Sequence, residues 1–200
     1  GKHRVAAVRL AEGDGVKIMC RVFDGLAIEE EAEMFRLLNN TAKPGALDLF
    51  SVRVVEGEEV ATHINDMLMR HGFRLGSATD GPTFAAVAAA ERIYRLKPDA
   101  LEWTLSTVIR AWGHEGASSD GRIVAGLGLV YVRYGSAVAR DEMADRLARF
   151  PGGPGGVLGK SRGLKESIGG HISNAISEII VETYNRKQKT RALPPWRTTR

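Results

Sequence analysis

The stretch Phe84–Leu96, Phe-Ala-Ala-Val-Ala-Ala-Ala-Glu-Arg-Ile-Tyr-Arg-Leu, predicts an alanine-rich helix near the middle of the chain. Alanine is the strongest helix former, and its small side chain lets neighbouring helices approach closely. Lys97-Pro98-Asp99 follows, and proline is well suited to the first turn of a second helix. Apolar residues then recur at helical spacing until Gly113, at Leu101, Leu105, Val108, Ile109 and Trp112.

The helical pattern continues towards the C-terminus. Ser119-Asp120 is a typical N-cap, and it precedes an apolar stripe at helical spacing. Gly126 and Gly128 lie inside that helix, where each glycine costs roughly 1 kcal/mol against alanine. Their presence therefore predicts tight packing against a neighbouring helix. Two further helices are expected, a short one after Asp141 and a last one over about 171–185.

Turn-forming residues divide the chain into three predicted parts. Residues 1–76 contain a predicted helix, an alternating strand at Val16–Phe23 and a further helix over Ile28–Leu38. The turn-rich run Gly76–Pro82 predicts a domain boundary, and residues 77–150 form a helical domain. Pro151–Gly156 predicts a break and a flexible hinge, so residues 151–200 comprise hinge, terminal helix and basic tail. The expected fold is α+β and predominantly α.

The composition restricts the classes of protein to be considered. Hydrophobic residues make up 44% of 200 residues, enough for a real core. Cys20 is the single cysteine, which excludes a disulfide framework and points to a reducing compartment. No apolar run of about 18 residues is present, so no transmembrane helix is expected. We expect a cytoplasmic protein that does not bind membranes.

Positive charge is concentrated at the C-terminus. From Lys160 to Arg200 there are nine lysines and arginines against three glutamates, a balance of +6, which leaves −2 for residues 1–159. A localised basic region suits nucleic acid, because bound phosphates release counterions. A solvated tail is the alternative interpretation. The predicted nucleic-acid-binding residues are Lys160, Arg162, Lys165, Arg186, Lys187, Lys189, Arg191 and Arg197.

The N-terminal residues Gly1-Lys2-His3-Arg4 run directly into an alanine- and valine-rich helical pattern. Unpaired backbone N–H groups and the helix dipole favour an anion at such a helix start. Arginine adds a planar fork suited to phosphate, and glycine permits a close approach of the backbone. This motif therefore predicts a phosphate site at Gly1, Lys2, His3 and Arg4.

Gly-Lys-His-Arg-Val-Ala-Ala resembles the Gly-x-His-Arg-x-x-Ala signature of the ParB/sulfiredoxin superfamily, and Val16–Asn40 resembles ParB-like proteins of actinobacteria and their phages. The resemblance covers residues 1 to about 75, and Phe84–Trp196 is similar to the helical extension of those proteins. It implies a pocket for CTP or ATP, with Mg²⁺, at Gly1, His3 and Arg4. Lys2 stands where sulfiredoxin has its reactive cysteine, which excludes reductase chemistry. We also expect native residues before Gly1.

Three functions follow as hypotheses. The leading one is a DNA-associated ParB-like protein that uses the basic C-terminal region for DNA and the N-terminal motif for a phosphate. The second is a metal-dependent nuclease or NTP hydrolase, whose candidate carboxylates are Glu12, Asp14 and Asp24. The third is a phage-type interaction module that binds a host protein or forms a homodimer, with the glycine-rich helix Gly121–Gly135 as its contact face.

Overall fold

The computed structural model describes residues 2–13, 15–17, 24–28, 30, 34, 44–77, 82–114, 117–186 and 192–197, and it leaves the side chains of residues 2–4 undescribed. The chain divides into two compact units, Gly1–Lys43 and Pro44–Arg200. In the first unit, helix α1 spans Lys2–Glu12. The predicted strand at Val16–Phe23 and the predicted helix at Ile28–Leu38 fall mostly outside the described residues.

The second unit is helical, as expected for a predominantly α fold. Its two short strands pair in parallel, with Arg74 opposite Thr83 and Leu75 opposite Phe84. A 3-10 turn, Gly135–Ala137, separates two of the helices. Its elements in chain order are α2 Ala46–Val55, α3 Glu59–Arg70, β1 Arg74–Leu75, β2 Thr83–Phe84, α4 Val87–Leu96, α5 Pro98–Trp112, α6 Gly121–Tyr134, α7 Arg140–Ala148, α8 Gly153–Ile168 and α9 Ile172–Asn185.

Helix α6 is central because it contributes to both hydrophobic clusters of the second unit. Val124 joins the cluster formed by α2, α3, α4, α5 and the two strands. Leu127 joins the other cluster, which is formed with α5, α7, α8 and α9. Helix α6 therefore links the two clusters. None of the described helices is long and apolar enough to cross a membrane.

The two glycines inside α6 are required by packing, as the sequence predicts. A Cβ at Gly126 would lie 2.4 Å from Ile176 Cγ2, and a Cβ at Gly128 would lie 2.7 Å from Ile93 Cγ1. Helices α9 and α4 thus approach the α6 backbone from two sides. The same contacts argue against the hypothesis that Gly121–Gly135 presents a glycine face to a partner, because Ile176 and Ile93 already occupy that face.

The turn-rich run Gly76–Pro82 connects β1 to β2 within the second unit. Arg74 N donates to Pro82 O at 2.9 Å, and Gly76 N donates to Phe84 O at 3.3 Å. Residues on both sides of the run therefore share one pairing and one hydrophobic cluster.

The predicted hinge at Pro151–Gly156 is wrong from Gly153 onward, because helix α8 begins there. Gly152 and Gly153 have φ angles of 75° and 55°, which turn the chain after α7. Pro154 lies in the first turn, where its missing N–H has no helical partner to lose. Burial of the inner face outweighs the low helix propensity of the glycines, through Pro154, Val157, Leu158 and Ser161.

Candidate nucleic-acid interface

Five of the eight cations predicted to bind nucleic acid lie in the described residues. Lys160, Arg162 and Lys165 are on the exposed side of α8. Arg186 is the C-cap of α9, and Arg197 lies in the C-terminal segment, defined here as residues 192–197. The three that lie outside the described residues are Lys187, Lys189 and Arg191.

The described cations differ in how much of their charge is already paired. Lys160 Nζ lies 3.4 Å from Glu182 Oε2, and Arg197 Nε lies 2.6 Å from Glu178 Oε2. Arg162 and Lys165 are exposed and take part in none of the ion pairs among the described side chains. We therefore regard Arg162 and Lys165 as more available to an external anion than Lys160 and Arg197.

The C-terminal segment is fixed to the end of α9 by one side chain. Asn185 Nδ2 donates to Leu193 O at 2.8 Å, and Leu193 N donates to Asn185 Oδ1 at 2.7 Å. The amide satisfies both backbone groups of Leu193, whose own side chain is buried. The Asn185 clamp, as we call this pair of bonds, brings two points that are eight residues apart in sequence into direct contact.

Further contacts hold the segment against α6. Tyr134 Oη donates to Pro194 O at 2.7 Å, and Arg133 donates to the Trp196 carbonyl. The Arg133 guanidinium lies 5.0 Å from the centre of the Trp196 ring, within cation–π distance. The Trp196 ring itself packs against the hydrophobic cluster that α6 forms with α5, α7, α8 and α9.

The other end of the charged sequence is also fixed. Arg146 of α7 donates to the carbonyl of Arg186, and Arg146 is itself held by Glu142 at 2.9 Å. Between Arg186 and Leu193 lies the basic segment, residues 186–191, with four cations and no carboxylate. Arg186, the C-cap of α9, is also stabilised by the negative end of the helix dipole. This stabilisation is a structural reason for one of the four cations.

The predicted phosphate site at Gly1, Lys2, His3 and Arg4 lies at the start of α1, which begins at Lys2. Gly1 and the three side chains are outside the described residues. Of the candidate nuclease carboxylates, Glu12 and Asp24 are exposed and Asp14 is outside the described residues. Across the described ranges, no three histidine, cysteine or acidic side chains cluster closely enough to hold a metal ion.

Sequence reasoning missed an open groove of about 860 Å³ between α3, α4 and α5. Arg70 and His71, at the end of α3, both contact Glu102 of α5. His71 Nε2 lies 2.7 Å from Glu102 Oε1, and Arg70 Nη2 lies 3.7 Å from Glu102 Oε2. The sequence gives little indication of this groove, because His71 and Glu102 are 31 positions apart and only helix packing brings them together.

Comparisons with protein-family models, with curated proteins and with solved structures found no match. The function is therefore argued from the geometry of this chain.

Proposed function

We propose that this is a DNA-associated protein that contacts DNA phosphates through the basic segment, residues 186–191, assisted by Arg162 and Lys165 of α8. The observation that carries the proposal is the Asn185 clamp, which ties Leu193 back to the last turn of α9. In the sequence, four cations and no carboxylate lie between these two fixed points. A charged tail that served solubility alone would need no such attachment.

Attachment favours binding for a thermodynamic reason. A free tail loses conformational freedom when it orders on a ligand, whereas a segment fixed at both ends has already lost part of it during folding. The electrostatic term is independent of DNA sequence, because phosphates are neutralised and their counterions are released. We therefore expect binding with steep salt dependence and little base specificity.

The N-terminal phosphate site forms the second part of the proposal. Helix α1 begins at Lys2, so its first N–H groups are available at the residues where the ParB-like motif stands. In the ParB-like interpretation this site takes the phosphates of CTP or ATP, with Mg²⁺ as counter-ion. Binding there would regulate the association with DNA.

The experiment that tests the first part is fluorescence anisotropy with a labelled DNA duplex at several salt concentrations. The intact chain is compared with the triple variant Lys187→Gln, Lys189→Gln, Arg191→Gln. Each lost phosphate contact lowers the slope of log affinity against log salt by about 0.9, so the slope should fall by nearly 3. The matched control removes three exposed cations elsewhere, by Arg74→Gln, Arg92→Gln and Arg149→Gln.

The two variants have equal net charge, so the comparison separates local contacts from total charge. The control should retain most of the affinity and the slope of the intact chain. Equal loss in both variants would contradict a specific role of the basic segment. Absence of binding by the intact chain even at low salt would contradict DNA association altogether.

The nucleotide part has a separate test. CTP or ATP with Mg²⁺ is added to the same DNA titration, for the intact chain and for Arg4→Ala. A change in DNA affinity that requires Arg4 supports the phosphate site. An equal response of both chains would show that the nucleotide acts elsewhere, while the DNA result would stand.

A further inference from the structure

The groove between α3, α4 and α5 carries charge opposite to that of the basic segment. His63, Asp66 and Arg70 are spaced by three and four residues on one exposed face of α3. Asp99 and Glu102 face them from the first turns of α5. Three carboxylates against one guanidinium leave the groove acidic.

Two of these carboxylates are not engaged within the chain. Glu102 is held by His71 and Arg70. Asp66 and Asp99, by contrast, are exposed and appear in none of the hydrogen bonds and ion pairs described between the residues of this unit. The Asp99 carboxylate is stabilised by the positive end of the α5 dipole, because it lies in the first turn of that helix. Asp66 lies in the second half of α3, where the helix dipole gives no such stabilisation.

The remaining lining suits long cationic side chains. Tyr94 forms one wall, and its hydroxyl lies 3.2 Å from His63 Nδ1. Met69 is half exposed at the edge of the groove. An aromatic face attracts a guanidinium or ammonium, and thioether and ring surfaces cover the aliphatic part of lysine or arginine.

We propose that this groove binds the basic segment, residues 186–191, of a second copy of the chain. Charge complementarity selects the occupant, since the segment has four cations and no carboxylate. Within one copy, the residues that flank the segment are joined by the Asn185 clamp on α9, which packs on α6, α7 and α8. The groove lies on α3, α4 and the first turns of α5, where the buried side chains belong to the other hydrophobic cluster. Docking therefore joins two copies.

The groove of one copy meets a different surface of the next. Such a contact closes into a dimer when the two copies exchange it reciprocally, and otherwise generates rings or open chains. DNA and the groove would compete for the same cations, so DNA should dissociate the assembly. The proposal does not depend on DNA association, since a chain that never binds DNA would still self-associate through these surfaces.

The first measurement uses a fluorescein-labelled peptide with the sequence of residues 186–192 and the full-length chain at low salt. The groove variant is Asp66→Asn with Asp99→Asn, and the matched control is Glu56→Gln with Glu166→Gln, two exposed carboxylates outside the groove. Loss of two charge contacts in a partly desolvated groove should weaken peptide binding about tenfold. The control should change it by less than about twofold. Equal affinity of the groove variant and the control would overturn the proposal.

The second measurement is sedimentation velocity of the unlabelled chain over a range of concentrations at low salt. We expect concentration-dependent assembly in the intact chain, and loss of it both in the groove variant and in the triple variant of the basic segment. Circular dichroism confirms that the variants are folded. An intact chain that stays monomeric at every concentration would overturn the proposal, even if the peptide binds.

Discussion

Helices α6 and α8 both contain glycines in their interior, and three of those in α8 have surroundings opposite to those of Gly126 and Gly128 in α6. A Cβ at Gly126 or Gly128 of α6 would overlap an isoleucine of a packed helix. A Cβ on α8 would meet nothing within 4 Å at three positions spaced by four residues, Gly155, Gly159 and Gly163. Glycine in α6 is therefore a packing requirement, whereas nothing in the structure explains the three exposed glycines of α8.

The N-termini of α6 and α8 also differ in how they are stabilised. Asp120 caps α6, since its carboxylate accepts from Arg122 N at 2.8 Å. No side chain caps α8, which begins at glycine and proline and depends on the burial of its inner face. The comparison shows that local sequence specifies α6, while tertiary contacts determine that α8 is a helix.

The largest effect on the free energy of unfolding is expected when a methyl group is added inside α6. Gly126→Ala should destabilise the fold by about 1–3 kcal/mol, because Ile176 and the Ser173 carbonyl have no room to move away. Urea unfolding followed by circular dichroism measures the change. Gly128→Ala, which meets only side-chain atoms of Ile93, should cost less. A neutral Gly126→Ala would contradict the tight contact between α6 and α9.

An intermediate effect is expected at the N-cap of α6. The hydrogen bond from the Arg122 side chain, with smaller contributions from the Arg122 backbone N–H and the charge of Arg162, holds the pKa of Asp120 below its usual value despite partial burial. A lowered pKa means that this stabilisation is present above about pH 4 and is lost as the pH falls through the folded-state pKa.

Thermal unfolding at decreasing pH tests the role of Asp120. Asp120→Asn keeps a good N-cap but has no charge, so it should be less stable than the intact chain at neutral pH and approach it in acid. Asp120→Ala should cost about 1 kcal/mol at neutral pH. If the unfolding temperatures of Asp120→Asn and the intact chain differed by the same amount across the acid range, this would contradict an ionic contribution of Asp120 to stability.

The smallest effect is expected on the exposed face of α8. Gly159→Ala should stabilise the chain by about 0.5–1 kcal/mol, because alanine favours helix and no atom obstructs its methyl group. The same urea experiment measures the gain. Destabilisation by this substitution would indicate a contact on α8 that the described residues do not contain.

The sequence predicts helices best where periodicity and caps agree. The stripe of α6, its Asp120 cap and its packed glycines are all confirmed, as is the proline start of α5. Helix α8 was not predicted, and its first residues were wrongly expected to form a hinge, because glycine and proline outweigh its apolar residues in any local count. The two strands were missed because each is two residues long.

The candidate interface was predictable in its charge but not in its geometry. The cluster of cations after Asn185 is visible in the sequence. The role of Asn185 is not, since a clamp on Leu193 depends on where the chain returns after residue 191. The acidic groove depends on the packing of three helices, which no local pattern encodes.

The most direct test of DNA association through the basic segment is hydrogen–deuterium exchange of the intact chain with and without duplex DNA at low salt. Protection should increase in peptides that cover residues 186–197 and the exposed side of α8. Peptides covering α3, which lines the acidic groove, should not gain protection. Protection confined to other parts of the chain, or no protection at all, would contradict the proposal.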